Sequence, residues 1–91
     1  MPYVYILQCD DGLYYTGMTK NLTNRLSEHN AGKATFTASR RPVKLVYTEF
    51  IADASEAARR EAQIKDWSRV KKEALIEGQL SNLALLAKKH F

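Results

Sequence analysis

Three residues, Asp10-Asp11-Gly12, constrain the fold of this chain more than any others. They separate two runs dense in β-branched and aromatic residues, 3–9 (Tyr-Val-Tyr-Ile-Leu-Gln-Cys) and 13–18 (Leu-Tyr-Tyr-Thr-Gly-Met). The chain therefore opens as a β-hairpin. Because side chains alternate across a strand, the loop length decides which residues share a face. A two-residue Asp11-Gly12 turn pairs Asp10 with Leu13 and puts Tyr5 and Tyr15 on opposite faces. A three-residue loop pairs Cys9 with Leu13, sets Leu7 against Tyr15 and Tyr5 against Gly17, and brings both tyrosines to one face. That second register requires Gly12 in the left-handed conformation.

Beyond the hairpin the hydrophobic period lengthens. Leu22 and Leu26 recur four apart, with Asn21 as N-cap and Gly32 as stop, which predicts a short helix. Residues 33–42 follow as a polar, basic loop closing on Pro42, and 43–50 (Val-Lys-Leu-Val-Tyr-Thr-Glu-Phe) as a third strand. Asp53 with Glu56 resembles a capping box opening an alanine-rich helix that runs to about Trp67. Its buried face is expected to run through Ala54, Ala57, Ala58, Ala62, Ile64 and Lys65. Ser68 caps a further helix ending near Gly78, and Ser81 or Asn82 begins a last one containing Leu83, Leu86 and Ala87. The order β-β-α-β-α-α, with that last helix added, is that of an α+β sandwich whose helices cover a small antiparallel sheet. Residues 1–78 are expected to form the domain, and 79–91 a helical extension packed on it or trailing from it.

Ninety-one residues suffice for one domain and not for two. With 45% apolar and 26% charged residues the composition is that of a folded globular chain. No apolar run approaches the ~20 residues of a membrane helix. The start, Met1-Pro2-Tyr3-Val4-Tyr5, lacks the basic and apolar regions of a secretory signal, so a cytoplasmic location is expected. Cys9 is the only cysteine, which excludes an intramolecular disulfide and a four-cysteine zinc site. In a strand it reads as a small hydrophobe. The formal net charge of +4 is spread evenly, but Lys33, Arg40, Arg41 and Lys44 lie in a span free of acids. A polyanion such as nucleic acid would be attracted there.

Five residues exceed what a fold requires. Arg25 and His29 are four apart on the first helix, about 40° from each other and beside the leucine stripe. A histidine in that position alone is more often structural than catalytic. Glu61 falls four after Ala57 and three before Ile64, within the stripe expected to face the core. A carboxylate turned inward needs a partner. Lys65 at i,i+4 is one, worth a few tenths of a kcal/mol; a metal ion is another. Tyr5 and Tyr15 stand one on each strand of the hairpin.

Taken in order, Tyr3-Val4-Tyr5, Tyr15-Thr16-Gly17, Arg25-Leu26-Ser27-Glu28-His29 and Ala57-Ala58-Arg59-Arg60-Glu61 resemble the successive motifs of the GIY-YIG nuclease domain. The resemblance spans residues 3 to about 78, and the small size is similar to the stand-alone bacterial members. It implies a three-stranded antiparallel sheet flanked by helices and a divalent-metal-dependent endonuclease, with DNA favoured over RNA as partner. In that reading Glu61 holds the metal, Arg25 binds the scissile phosphate, a tyrosine (Tyr5 or Tyr15) activates water, and His29 supports both by hydrogen bonding. The hard carboxylate oxygen, with no Cys or His cluster beside it, suits Mg²⁺ or Mn²⁺ better than zinc. Bringing a tyrosine from its ordinary pKa near 10 to about 7.5 costs roughly 3.4 kcal/mol, which an adjacent cation and metal-bound water would supply. Two positions depart from the pattern: Met18 stands where many relatives carry lysine, and residues 62–81 hold no asparagine. These departures favour the alternative, a nucleic-acid-binding module that keeps the fold without useful turnover.

Overall fold

The computed structural model describes residues 2–88. Strands β1 (Tyr3–Gln8), β2 (Tyr14–Thr19) and β3 (Lys44–Phe50) form one sheet with helices α1 (Leu22–Asn30), α2 (Thr35–Ala38), α3 (Ala54–Lys65) and α4 (Arg69–Lys88) around it. The sheet is antiparallel throughout, in the order β2-β1-β3. This is the α+β architecture expected from the order of elements.

The hairpin adopts the three-residue loop. Cys9 N–H donates to the Leu13 carbonyl at 2.8 Å, Gly12 N–H donates to the Cys9 carbonyl at 2.9 Å, and Gly12 has φ +87°. Tyr5 therefore lies opposite Gly17 and Leu7 opposite Tyr15. As the central strand, β1 is buried on both faces. Val4 and Ile6 pack with Tyr47, Ala57, Ile64 and Ile76 on the side of α3 and α4. Tyr5 and Leu7 pack with Cys9 and Val43 on the other side, against Tyr15, Leu22 and Leu26. Each fully buried aliphatic chain contributes about 1.5–3 kcal/mol, so two small cores share one strand.

Local chemistry sets the helix ends. The Asn21 side chain accepts the Asn24 N–H at 3.0 Å and starts α1, and Gly32, at φ +81°, follows its end. The Asp53 carboxylate accepts from Ser55 N–H at 2.9 Å and starts α3. The Ser68 hydroxyl accepts from Lys71 N–H at 3.3 Å at the start of α4.

Three details differ from the sequence reading. The loop 33–42 contains a short helix, α2, whose one buried residue is Thr37. Only Ala57 and Ile64 of α3 are buried, while Ala54, Ala58, Ala62 and Lys65 are exposed. Alanine is frequent there because it favours helix, not because it marks a core. Last, α4 runs unbroken through Gly78 and Ser81, where two helices were expected. One exposed glycine costs a helix only about 1 kcal/mol, and the flanking turns outweigh it. The final three residues of the expected extension, 89–91, lie outside the described residues.

Candidate active site

Tyr5 projects from β1 toward α1, and Gly17 on the neighbouring strand makes room for it. A Cβ at position 17 would lie 2.5 Å from the Tyr5 hydroxyl oxygen, so no other residue fits there without moving the ring. The phenol crosses the sheet toward β2 and meets the inner side of α1. There Arg25 Nε donates to the Tyr5 oxygen at 3.3 Å, and the Tyr5 hydroxyl lies 3.1 Å from His29 Nε2. The four-residue spacing that puts Arg25 and His29 on one face of α1 thus places both against one hydroxyl.

His29 is fully buried. Its ring meets Tyr15 edge-on, with centroids 4.9 Å apart, and Tyr15 stands 6.3 Å from the Tyr5 ring. Its other nitrogen, Nδ1, is 2.7 Å from the Thr37 hydroxyl. Phe36, exposed beside Thr37, lies 5.7 Å from Tyr15.

Glu61 arrives from the opposite layer, on α3. Its carboxylate is partly buried and 3.7 Å from Lys65 Nζ, the i,i+4 partner available from sequence. Its negative charge reaches Tyr5, where it adds to the difficulty of ionising the phenol. Tyr5, Tyr15, Arg25 and His29 form one contact cluster, to which no hydrogen bond or ion pair among the described residues joins Glu61.

Arg25 by itself does not bring the Tyr5 phenol below its ordinary value. Burial holds the phenol above its ordinary value, and the hydrogen bond from Arg25 offsets this only in part. A lowered tyrosine pKa was expected from the neighbouring cation together with metal-bound water; against the cation by itself, withdrawal of the ring from water prevails. Arg25 is in turn held more firmly protonated by the Tyr5 hydroxyl. Burial, and then the Arg25 charge, push His29 below its ordinary value, so the imidazole is neutral at pH 7.

The basic segment is less uniform than its sequence suggests. Arg40 donates to the Phe36 carbonyl at 2.7 Å and lies over the Phe36 ring at 4.4 Å. Its Nε is 3.2 Å from the Asp11 carboxylate, off the hydrogen-bonding direction. Arg41 donates to the Ala38 and Asn30 carbonyls at 2.8 and 3.4 Å. Both guanidiniums thus tie down the segment around α2. Lys33 and Lys44 are exposed, the first beside Asn24 and Glu28 of α1, the second beside Gln8 and Asp10 at the hairpin end.

Sequence reasoning missed Thr37. A threonine in a polar loop carries no periodic or motif signal, and its role emerges only when α2 folds over His29.

Residues 1–74 match the family model described as the GIY-YIG catalytic domain. The chain belongs to the GIY-YIG family. Among its relatives is a UPF0213 protein of Syntrophus aciditrophicus, 54% identical over 77 residues, covering 82% of this chain and 88% of that one. A UPF0213 protein of Halobacterium salinarum is 51% identical, covering 82% and 99%. The solution NMR structure of a UPF0213 protein from Bacillus halodurans is similar, with TM-score 0.57 and 44% identity over 85% of this chain and 84% of that chain. A solution NMR structure of an E. faecalis protein gives TM-score 0.60 at 40% identity, over 84% and 82%. In this GIY-YIG chain Met18 sits opposite Val4, on the α3 side of the sheet, and is exposed.

Proposed function

We propose that this GIY-YIG protein is a divalent-metal-dependent endonuclease that hydrolyses phosphodiester bonds in nucleic acid, DNA in preference to RNA. The observation that carries the reading is the Arg25–Tyr5–His29 hydrogen-bonded cluster. Phosphodiester hydrolysis needs a positive group for the phosphate and an acceptor for a proton of the attacking water. Arg25 supplies the first, Tyr5 the second. As Tyr5 takes the water proton on its oxygen, its own proton passes to His29 Nε2, 3.1 Å away, and the leaving oxygen is protonated by solvent. A neutral His29 is the form able to receive it. Tyr15 packs against the His29 ring and keeps it in line with Tyr5.

The donor set fits one kind of metal. Among the described residues no group of three or more His, Cys, Asp and Glu converges. A lone, partly buried Glu61 carboxylate suits Mg²⁺ or Mn²⁺, which keep several waters and take further ligands from substrate phosphate. When bound, such an ion neutralises charge building on the phosphate. Lys33, Arg40, Arg41 and Lys44 are assigned to contacts with the nucleic-acid backbone, Lys33 and Lys44 having the freer side chains. Residues 1–78 are taken as the working domain and 79–91 as its C-terminal extension.

A second reading, binding without turnover, is favoured by the burial that raises the Tyr5 pKa. One experiment separates the two. Purified protein is incubated with labelled single- and double-stranded DNA and RNA, with Mg²⁺, Mn²⁺ or EDTA. Endonucleolytic products with metal and none with EDTA support the nuclease; binding without products in every metal supports the module.

A further inference from the structure

We propose that Thr37 is a positioning residue that holds His29 in its Nδ1–H tautomer, leaving Nε2 as a lone-pair acceptor aimed at the Tyr5 hydroxyl. For its consequence in catalysis the inference rests on the nuclease reading; for the tautomer itself it does not.

Four hydrogen bonds run in series. Arg25 Nε donates to Tyr5 Oη at 3.3 Å, Tyr5 Oη and His29 Nε2 are 3.1 Å apart, and His29 Nδ1 and Thr37 Oγ1 are 2.7 Å apart. Thr37 Oγ1 then donates to the Ala34 carbonyl at 3.5 Å. The two ends determine the direction of the whole series. A guanidinium has only donors and a carbonyl only lone pairs. With Arg25 donating at one end and Ala34 accepting at the other, each hydroxyl between them passes its proton along the same way. Tyr5 donates to Nε2, and Nδ1–H donates to Thr37.

The reverse arrangement fails on Tyr5. Were Thr37 to donate to Nδ1, Nε2–H would point at a Tyr5 oxygen already receiving the Arg25 N–H. The Tyr5 proton would then have no acceptor among the described residues, in a side chain only 2% exposed. A buried hydroxyl without an acceptor is the costly alternative. Thr37 serves the product state as well. Once Nε2 has taken the Tyr5 proton, the imidazolium carries N–H on both nitrogens, and Thr37 still accepts from Nδ1–H.

This also accounts for α2. Thr-Phe-Thr-Ala is a poor helix former, and the element has four residues. Thr37 is its one buried residue and fully so. Arg40 and Arg41 bond the Phe36 and Ala38 carbonyls on either side of it. The loop is folded where it delivers one hydroxyl to one imidazole nitrogen.

The test uses Thr37→Val, which keeps the shape and deletes the hydroxyl, and Thr37→Ser, which keeps the hydroxyl. A His90→Gln background leaves His29 as the only histidine of the two in the chain. Long-range ¹⁵N–¹H NMR reads the tautomer at pH 7.5, with no need of activity. The expected result is Nδ1–H in the parent and in Thr37→Ser, and a mixed or Nε2–H population in Thr37→Val. Cleavage by Thr37→Val should drop on the order of 100-fold in kcat with little change in KM, and Thr37→Ser should recover most of it. Nε2–H in the parent, or an unaltered tautomer in folded Thr37→Val, overturns the proposal. If Thr37→Val does not fold, the parent and Thr37→Ser spectra decide by the same criterion. A parent that shows the Nδ1–H tautomer but cleaves nothing removes the nuclease reading and leaves the positioning role standing.

Discussion

Replacing Gly17 by alanine tests the packing around Tyr5. The added Cβ would stand 2.5 Å from the Tyr5 hydroxyl oxygen, 2.6 Å from Cζ and 3.0 Å from Cε1. Carbon atoms in contact sit about 3.5–4.0 Å apart, so the ring must retreat by roughly 1 Å. Tyr5 is 2% exposed and packed with Leu7, Tyr15 and Leu22, which resist that retreat. Overpacking of this kind costs about 1–3 kcal/mol, which lowers the melting point of a small domain by roughly 5–20 °C. The same displacement carries the hydroxyl away from Arg25 Nε and His29 Nε2, now at 3.3 and 3.1 Å. A shift of that size at a reacting group lowers the rate about 100-fold. The control is a Tyr5→Leu background, where the clash is gone and Gly→Ala is neutral or stabilising by about 0.4–1 kcal/mol. Denaturant unfolding of the four proteins should give a coupling energy of about 1–4 kcal/mol. A coupling within error of zero, or a Gly17→Ala protein that melts and cleaves like its parent, would refute the packing argument.

Glu61→Gln should fold normally, since the Lys65 pair is worth only a few tenths of a kcal/mol, yet lose metal-dependent cleavage; full turnover in this variant rejects the metal assignment. Lys33→Ala and Lys44→Ala should each lower the slope of log affinity against log salt by about 0.7–0.9, whatever the sequence bound. Unchanged slopes move the nucleic-acid surface elsewhere. Arg41→Ala should also lower the melting temperature, because it removes bonds to two backbone carbonyls. His29 should make stability depend on pH in a defined direction. Its folded pKa is depressed by burial and then by Arg25, so the unfolded chain binds the proton more readily. Stability present above about pH 6.5 is then lost as pH falls through the folded value. Denaturation midpoints at pH 7.5, 6 and 5 should fall in that order, and His29→Gln should remove this part of the slope; a midpoint flat over that range contradicts the buried neutral imidazole.

The elements most open to sequence reasoning were those governed by local chemistry. Asn21 caps α1 through its own side chain, and Gly12 adopts the positive φ that the three-residue loop requires. Once that register holds, alternation alone brings Tyr5 and Tyr15 to one face. Helical periodicity likewise put Arg25 beside His29. What could not be read were effects decided by tertiary packing. Propensity argues against a helix at Thr35–Ala38, and it forms under side-chain contacts with His29, Tyr15, Arg40 and Arg41. Ala58 and Ala62 look apolar in a pattern yet face solvent, because helix preference and burial leave the same mark on alanine. The upward shift of Tyr5 depends on how completely its neighbours exclude water, a quantity that spacing does not contain.

The two cores on either side of β1 give the molecule two opening modes. Neither α1 nor α2 adds a buried apolar residue to the core of Tyr5, Leu7, Cys9 and Val43, while α3 and α4 add Ala57, Ile64 and Ile76 to the core of Val4, Ile6 and Tyr47. Amides of α1 and α2 should therefore exchange with solvent hydrogen through local fluctuations, ahead of those in β1 and α3. Arg25, His29 and Thr37 would leave together in such an opening, while Glu61 stayed in place. On heating, the cluster would come apart while the sheet was still intact, and the temperature at which the chain stops working would fall below the one at which it melts.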